Sequence, residues 1–148
     1  MIASVHVADV GARAALGVLR KVPRPASTPG LRSANVGLAA PLSRSMLPKP
    51  SFGRVGLVAF WDDDTALDRF LTDDPLAATL VSGWHVRLEA LRAFGTWPGL
   101  PADVPTDRAT DHTGPAAVLT LGRLRSAQAV RFFRTSAKAE GAVVEARG

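Results

Sequence analysis

The sequence predicts an α+β fold, and three observations carry that reading. A strand–helix–strand unit spans Arg54 to Trp97, a similar strand and helix open the chain, and a second strand follows before the central unit begins. Ile2 to Ala8 alternates, with Val5 and Val7 on one face and Ser4 and His6 on the other. Ala12, Ala15, Leu16 and Leu19 then repeat at helical spacing, and Pro23, Pro25, Pro29 and Gly30 end that helix in a stiff connection. Leu31 to Leu38 reads as a strand through Ala34, Val36 and Leu38, and Ala39 to Gly53 as a long Pro-containing loop. Val55 to Trp61 is an apolar run too short for a helix, which suits a strand covered on both faces.

Asp62 is expected to cap the next helix, with Asp63 and Asp64 favoured by the helix dipole in its first turn. The acidic run is thus read as structural rather than catalytic. Ala66, Leu67, Phe70 and Leu71 give the buried stripe, and Asp74-Pro75 restarts the helix. Alternation returns at Trp84, Val86, Leu88 and Ala90, opposite His85, Arg87 and Glu89. Strand, helix, strand, strand, helix, strand is the order of the ferredoxin-like βαββαβ sandwich, one antiparallel sheet with two helices on one face. The expected core between sheet and helices holds Val5, Val7, Leu16, Leu19, Leu57, Phe70, Leu71, Val86 and Leu88. Ser4, His6, Ala8, His85, Arg87 and Glu89 then share the open face.

Residues 1–98 form this first unit, and 99–114, rich in Pro, Gly and Asp, read as a linker. Residues 115–148 restart the pattern. Val5 corresponds to Leu119, Val7 to Leu121, Ala15 to Ala129, Leu16 to Val130 and Leu19 to Phe133, all at one offset. The expectation is a partial second repeat in a dimeric α-β barrel type of arrangement, with a strand at Ala117 to Leu121 and a helix at Arg125 to Ala139. Its apolar residues have too little to pack on, so self-association, or fraying at the C-terminus with the last residues disordered, is expected.

Composition narrows the function classes. The net charge of +5 comes from scattered residues, nearly all arginine, with no nucleic-acid motif or arginine–aromatic stripe. No nucleic-acid partner is expected, although attraction to an anionic membrane surface remains open. The chain has no cysteine, which removes disulfides, thiolate metal sites and a cysteine nucleophile. Serine-nucleophile motifs, phosphate-binding loops and metal-ligand spacings are missing, and the start lacks a basic leader. A cytoplasmic protein, peripheral to the membrane at most, is the expectation.

WDDDTALDRFL, the Pro-Leu-Ala that follows, and GWHVRLEALRAFGTWPG resemble the paired motifs of the spheroidene monooxygenase-like family of carotenoid biosynthesis. SVHVADVG and VLTLGRLR are also similar to members of that family. The resemblance covers most of Met1 to Gly141. Ala90 stands where the family usually has proline, and the family's C-terminal part has no counterpart. The chain is therefore expected to be a front portion or a truncated relative.

The resemblance implies a monooxygenase acting on a lipophilic, carotenoid-like substrate, with haem and a ferredoxin-type electron donor. For haem, an axial histidine would come from His6, His85 or His112. His6 and His85 are expected on adjacent strands of one face, each able to act as ligand or hydrogen-bond donor. Arg87 and Arg92 can either bind propionates or another carboxylate or stay solvated at the strand ends, and Trp61, Trp84 and Trp97 can either line a polyene pocket or pack the core. The catalytic residues stay open. The alternative is a non-catalytic or degenerate α-β barrel module that binds a small apolar molecule or mediates dimerisation.

Overall fold

The computed structural model describes residues 1–39, 51–107, 109–122 and 128. The chain divides into two units, Met1–Ala39 with Phe52–Ala116 and Ala40–Ser51 with Ala117–Gly148. The first has the order β1 (Ile2–Asp9), α1 (Ala12–Arg20), β2 (Leu31–Leu38), β3 (Arg54–Trp61), α2 (Asp64–Asp73), α3 (Pro75–Leu80) and β4 (Trp84–Glu89). The four strands form one antiparallel sheet in the order β2-β3-β1-β4. This is an α+β fold, with the long apolar run of β3 in the sheet interior as its sequence requires.

Each element ends where its chemistry says it should, with one correction. Asp63, not Asp62, caps α2: its carboxylate accepts from the Ala66 amide at 2.8 Å. Asp62 instead binds Arg32 Nε at 2.7 Å and donates its amide to Gly30 O at 2.9 Å, tying β2 to the end of β3. Asp74 caps α3 through the Leu76 amide at 2.8 Å, with Pro75 in the first turn. Gly30 has φ +75, and a Cβ there would overlap that of Ala66, so the loop before β2 sits directly on α2. Gly83 passes so close to Val7 O and Ala8 that no side chain fits, which allows β4 to join β1.

The face assignment expected for β1 and β4 is inverted, while Leu57 and Phe70 are in the core as expected and Leu71 packs against it. Ile2, Ala8, Val55, Leu57, Ala59 and Trp61 are buried in one cluster with Ala15, Val18, Ala66, Leu67, Phe70, Leu76, Ala77 and Leu80 of the helices. Register places Ser4 opposite Ala59 and His6 opposite Leu57, so both histidine strands present their polar positions to the helix side. Val5, Val7, Val86 and Leu88 consequently lie on the second face and are only half-buried. Two interactions fix this phase. Trp61 packs on Phe70 at a centroid separation of 4.9 Å and donates Nε1–H to Ser4 Oγ at 2.9 Å. Arg87 reaches from β4 to α2. In α1, Ala15 and Val18 are buried while Leu16 is exposed, so the helix is rotated from the expected stripe.

The second face is covered at one end. Ala3 and its register partner Phe60 are buried there, and Ser33, opposite Phe60, donates its hydroxyl to Pro98 O at 2.6 Å. The Ala93 amide bonds Pro105 O at 2.9 Å, closing this segment into a loop. The first part of the expected linker is thus packed chain rather than a free tether.

Of the second unit, Ala117 to Gly122 is described, and it contains no strand; Val118 is exposed. The expected repeat strand at Ala117 to Leu121 is therefore not formed, and no strand of that unit is present among the described residues to pair with it. The expected helix at Arg125 to Ala139, and most of the loop from Ala39 to Gly53, lie outside the described residues.

Candidate functional site

β1 and β4 pair so that His6 and His85 are directly opposite each other. Their rings stack, with centroids 5.8 Å apart and planes 19° from parallel. Burial differs sharply between them. His6 is 4% exposed, since its strand is central and the helices lie over it, whereas His85 is exposed on the edge strand. Nε2 of His6 is buried and has no hydrogen-bond partner among the described residues. Burial first, and repulsion from His85 second, together lower the His6 pKa to about 4. A neutral, unsatisfied imidazole stacked on an accessible one is a base and a ligand-capable group, held in a dry place.

Arg87 lies two residues beyond His85 on the same face. Its guanidinium forks between Asp64, at 3.0 Å, and Asp68 of α2. These hydrogen bonds, Asp68 first and then Asp64, raise the Arg87 pKa above the ordinary value. The fork that was expected to bind a carboxylate of a cofactor is therefore occupied by two carboxylates of the chain itself. Asp64 was expected only as a first-turn acid and Asp68 was not singled out from the sequence, though their helical i, i+4 spacing beside an alternating Arg strand was the available signal.

The remaining candidates do not converge on this pair. His112 is exposed, and its Nε2 is 3.2 Å from Pro115 O, within its own turn. Arg92 stacks over Phe94 at 5.3 Å. Trp61 is buried on the helix side and Trp84 is 60% exposed on the other face, so the tryptophans line no common pocket. Among the described residues no group of three or more His, Cys, Asp or Glu is placed to hold a metal ion. No helix among them is long and apolar enough to cross a membrane.

Surface cavities are present among the described residues. One of about 470 Å3 is lined by Arg20, Lys21, Arg24, Ser27, Thr28 and Asp74 among others. Another, about 360 Å3, includes Met1, Arg32, Asp62 and Asp103. Neither reaches His6 or His85. The orphaned Nε2 of His6 is the donor a haem iron would need, yet the ring is enclosed by packing and by His85. The residues present do not fit a haem at His6.

Fold and site together define an α+β domain with a four-stranded antiparallel sheet and a stacked histidine pair, His6 beneath the helices and His85 exposed on the edge strand. Over 104 residues the chain is 29% identical to the spheroidene monooxygenase of Rubrivivax gelatinosus, covering 68% of this chain and 40% of that protein. The relationship is distant, and the chain spans well under half the length of that relative. No family model and no solved structure matches.

Proposed function

We propose that this chain is a ferredoxin-like module of a monooxygenase whose substrate is lipophilic and carotenoid-like. The similarity to spheroidene monooxygenase is the observation that carries the reading. The element order and the sheet order β2-β3-β1-β4 support the ferredoxin-like form of the fold. The half-buried row Val58, Val5 and Val86, with Val7 and Trp84 beside it, supplies an apolar surface on which a long hydrocarbon can lie. Monooxygenation places one oxygen atom in the substrate and releases the other as water, so a donor must supply two electrons and two protons. In this reading a ferredoxin-type protein supplies the electrons. The arrangement at His6 houses no haem, so no step of the reaction is assigned to that residue.

Binding of an acyclic polyene delivered in detergent micelles tests this reading, because such a chromophore quenches nearby tryptophan. Saturable quenching is expected, and it should be lost in Val5→Asp, which places charge in the apolar row. Quenching no greater than that of an unrelated tryptophan protein would remove the substrate reading. The alternative, a non-catalytic interaction module, is favoured by the same face if it pairs copies of the chain instead.

A further inference from the structure

The cavity of about 470 Å3 is independent of the histidine pair and unlike the rest of the surface. It is lined by Arg20, Lys21 and Arg24, by the hydroxyl residues Ser27 and Thr28, and by one carboxylate, Asp74. None of the three cations has an ion-pair partner among the described residues. Asp74 brings one negative charge against their three; its Oδ1 caps α3 at the Leu76 amide, and it makes no ion pair with them among the described residues. The negative end of α1 accounts for Arg20 and Lys21, which close that helix. It does not account for Arg24, which lies beyond it, or for the concavity that brings all three together.

The segment carrying these groups is built to hold them still. Pro23, Pro25 and Pro29 restrict the backbone between α1 and β2. The amides of Ser27 and Thr28 both bond Arg24 O at 3.0 Å, making a compact turn, and Thr28 is buried. Gly30 presses the end of the loop onto Ala66 of α2. Positive charge on a stiff, concave loop loses little ordering entropy when an anion arrives. Arginine forks and hydroxyls are the donors that match tetrahedral oxyanions.

We propose that this cavity binds a phosphate group, with Arg20, Lys21 and Arg24 supplying charge and the Thr28 hydroxyl completing the cradle, joined by the Ser27 hydroxyl when it turns from Arg24 O, to which it donates at 3.3 Å. The same chemistry is offered by free phosphate compounds and by a phospholipid headgroup. The test uses the full chain with inorganic phosphate in one arm and phosphatidylglycerol vesicles, against phosphatidylcholine vesicles, in the other. Amide shifts of Ser27 and Thr28 are followed with phosphate, and co-sedimentation with vesicles. Arg24→Gln is expected to weaken binding about 10-fold or more, while Arg13→Gln, which removes a charge outside the cavity, leaves it unchanged. Shifts with phosphate identify a free phosphate compound as the ligand source, and binding only to phosphatidylglycerol identifies the headgroup. No response in either arm overturns the proposal. So does equal weakening by Arg13→Gln and Arg24→Gln, since that marks unspecific attraction to a basic protein. Retained far-ultraviolet circular dichroism and His6–His85 ring shifts confirm that each variant is folded.

Discussion

On the helix side of the sheet, Leu57, Ala59 and Trp61 are buried against Leu67 and Phe70, and Ser4 among them accepts the indole N–H. On the other side, Val5, Val7, Val58, Val86 and Leu88 are half-buried, and only Ala3 and Phe60, near the loop around Pro98, are fully covered. The more hydrophobic residues of β1 and β4 are thus on the less buried face. This runs against simple partition of apolar side chains to the interior. The helix side is selected by bulk in β3 and by specific polar contacts at its rim, while the valine side is left with apolar surface to place elsewhere. The first face supplies stability, and the second is free to supply recognition.

The largest expected effect separates the two faces by stability. Phe70→Ala removes a buried ring that packs on Trp61 and should cost about 3–5 kcal/mol. Val5→Ala, on the half-buried face, should cost about 1 kcal/mol or less. Denaturant unfolding of both variants measures the difference directly. Equal losses would mean that the valine face is as tightly covered in solution as the helix face, and the comparison would break.

The next effect is pH-dependent and belongs to the helix side alone. The His6 pKa in the folded chain, about 4, lies below the ordinary histidine value. The unfolded chain therefore takes up the proton first. The stabilisation from neutral, buried His6 is complete above about pH 6.5, falls as pH drops, and is gone below about pH 4. Its size is on the order of 3 kcal/mol across that window. Stability measured at steps from pH 7 to pH 4 should fall more steeply for the wild type than for His6→Gln, which cannot titrate. His85→Gln should raise the His6 pKa part of the way, as one of its two causes is repulsion from that ring. Parallel pH profiles for wild type and His6→Gln would show that His6 is solvated in solution.

The fold was legible in the sequence wherever local chemistry punctuates it. The cap at Asp74 before Pro75, the proline run after α1 and the alternation of β4 gave the elements, and their order gave the sheet. The phase of the sheet was not legible. β1 alternates Val with Ser, His and Ala, and β3 is apolar throughout, so hydrophobicity alone favours placing the valines inside. What decided otherwise is relational: Trp61 finding Ser4, and Arg87 finding Asp64 and Asp68. The juxtaposition of His6 and His85 was legible, because shared parity survives an inversion of faces. Its burial was not. The repeat at Ala117 to Leu121 shows the same limit from the other direction: its period-two pattern has no strand beside it among the described residues and forms none itself.

The smallest expected effect on stability is the most informative about the valine face. Trp84 is 60% exposed there, beside Val7, while Trp61 is fully buried on the helix side and Trp97 is half-buried. Trp84→Phe should change stability by less than about 0.5 kcal/mol, because little buried contact is lost. It should, however, remove most of the acrylamide-accessible fluorescence, leaving a spectrum dominated by the protected indoles. If wild-type Trp84 proves protected from acrylamide, the valine face is covered in solution. Dilution then identifies the cover: protection that falls with concentration belongs to a second copy, and protection that persists belongs to another part of the same chain. Accessibility at every concentration leaves an open apolar face, and its size and its tryptophan then make it the place to look for a lipophilic ligand.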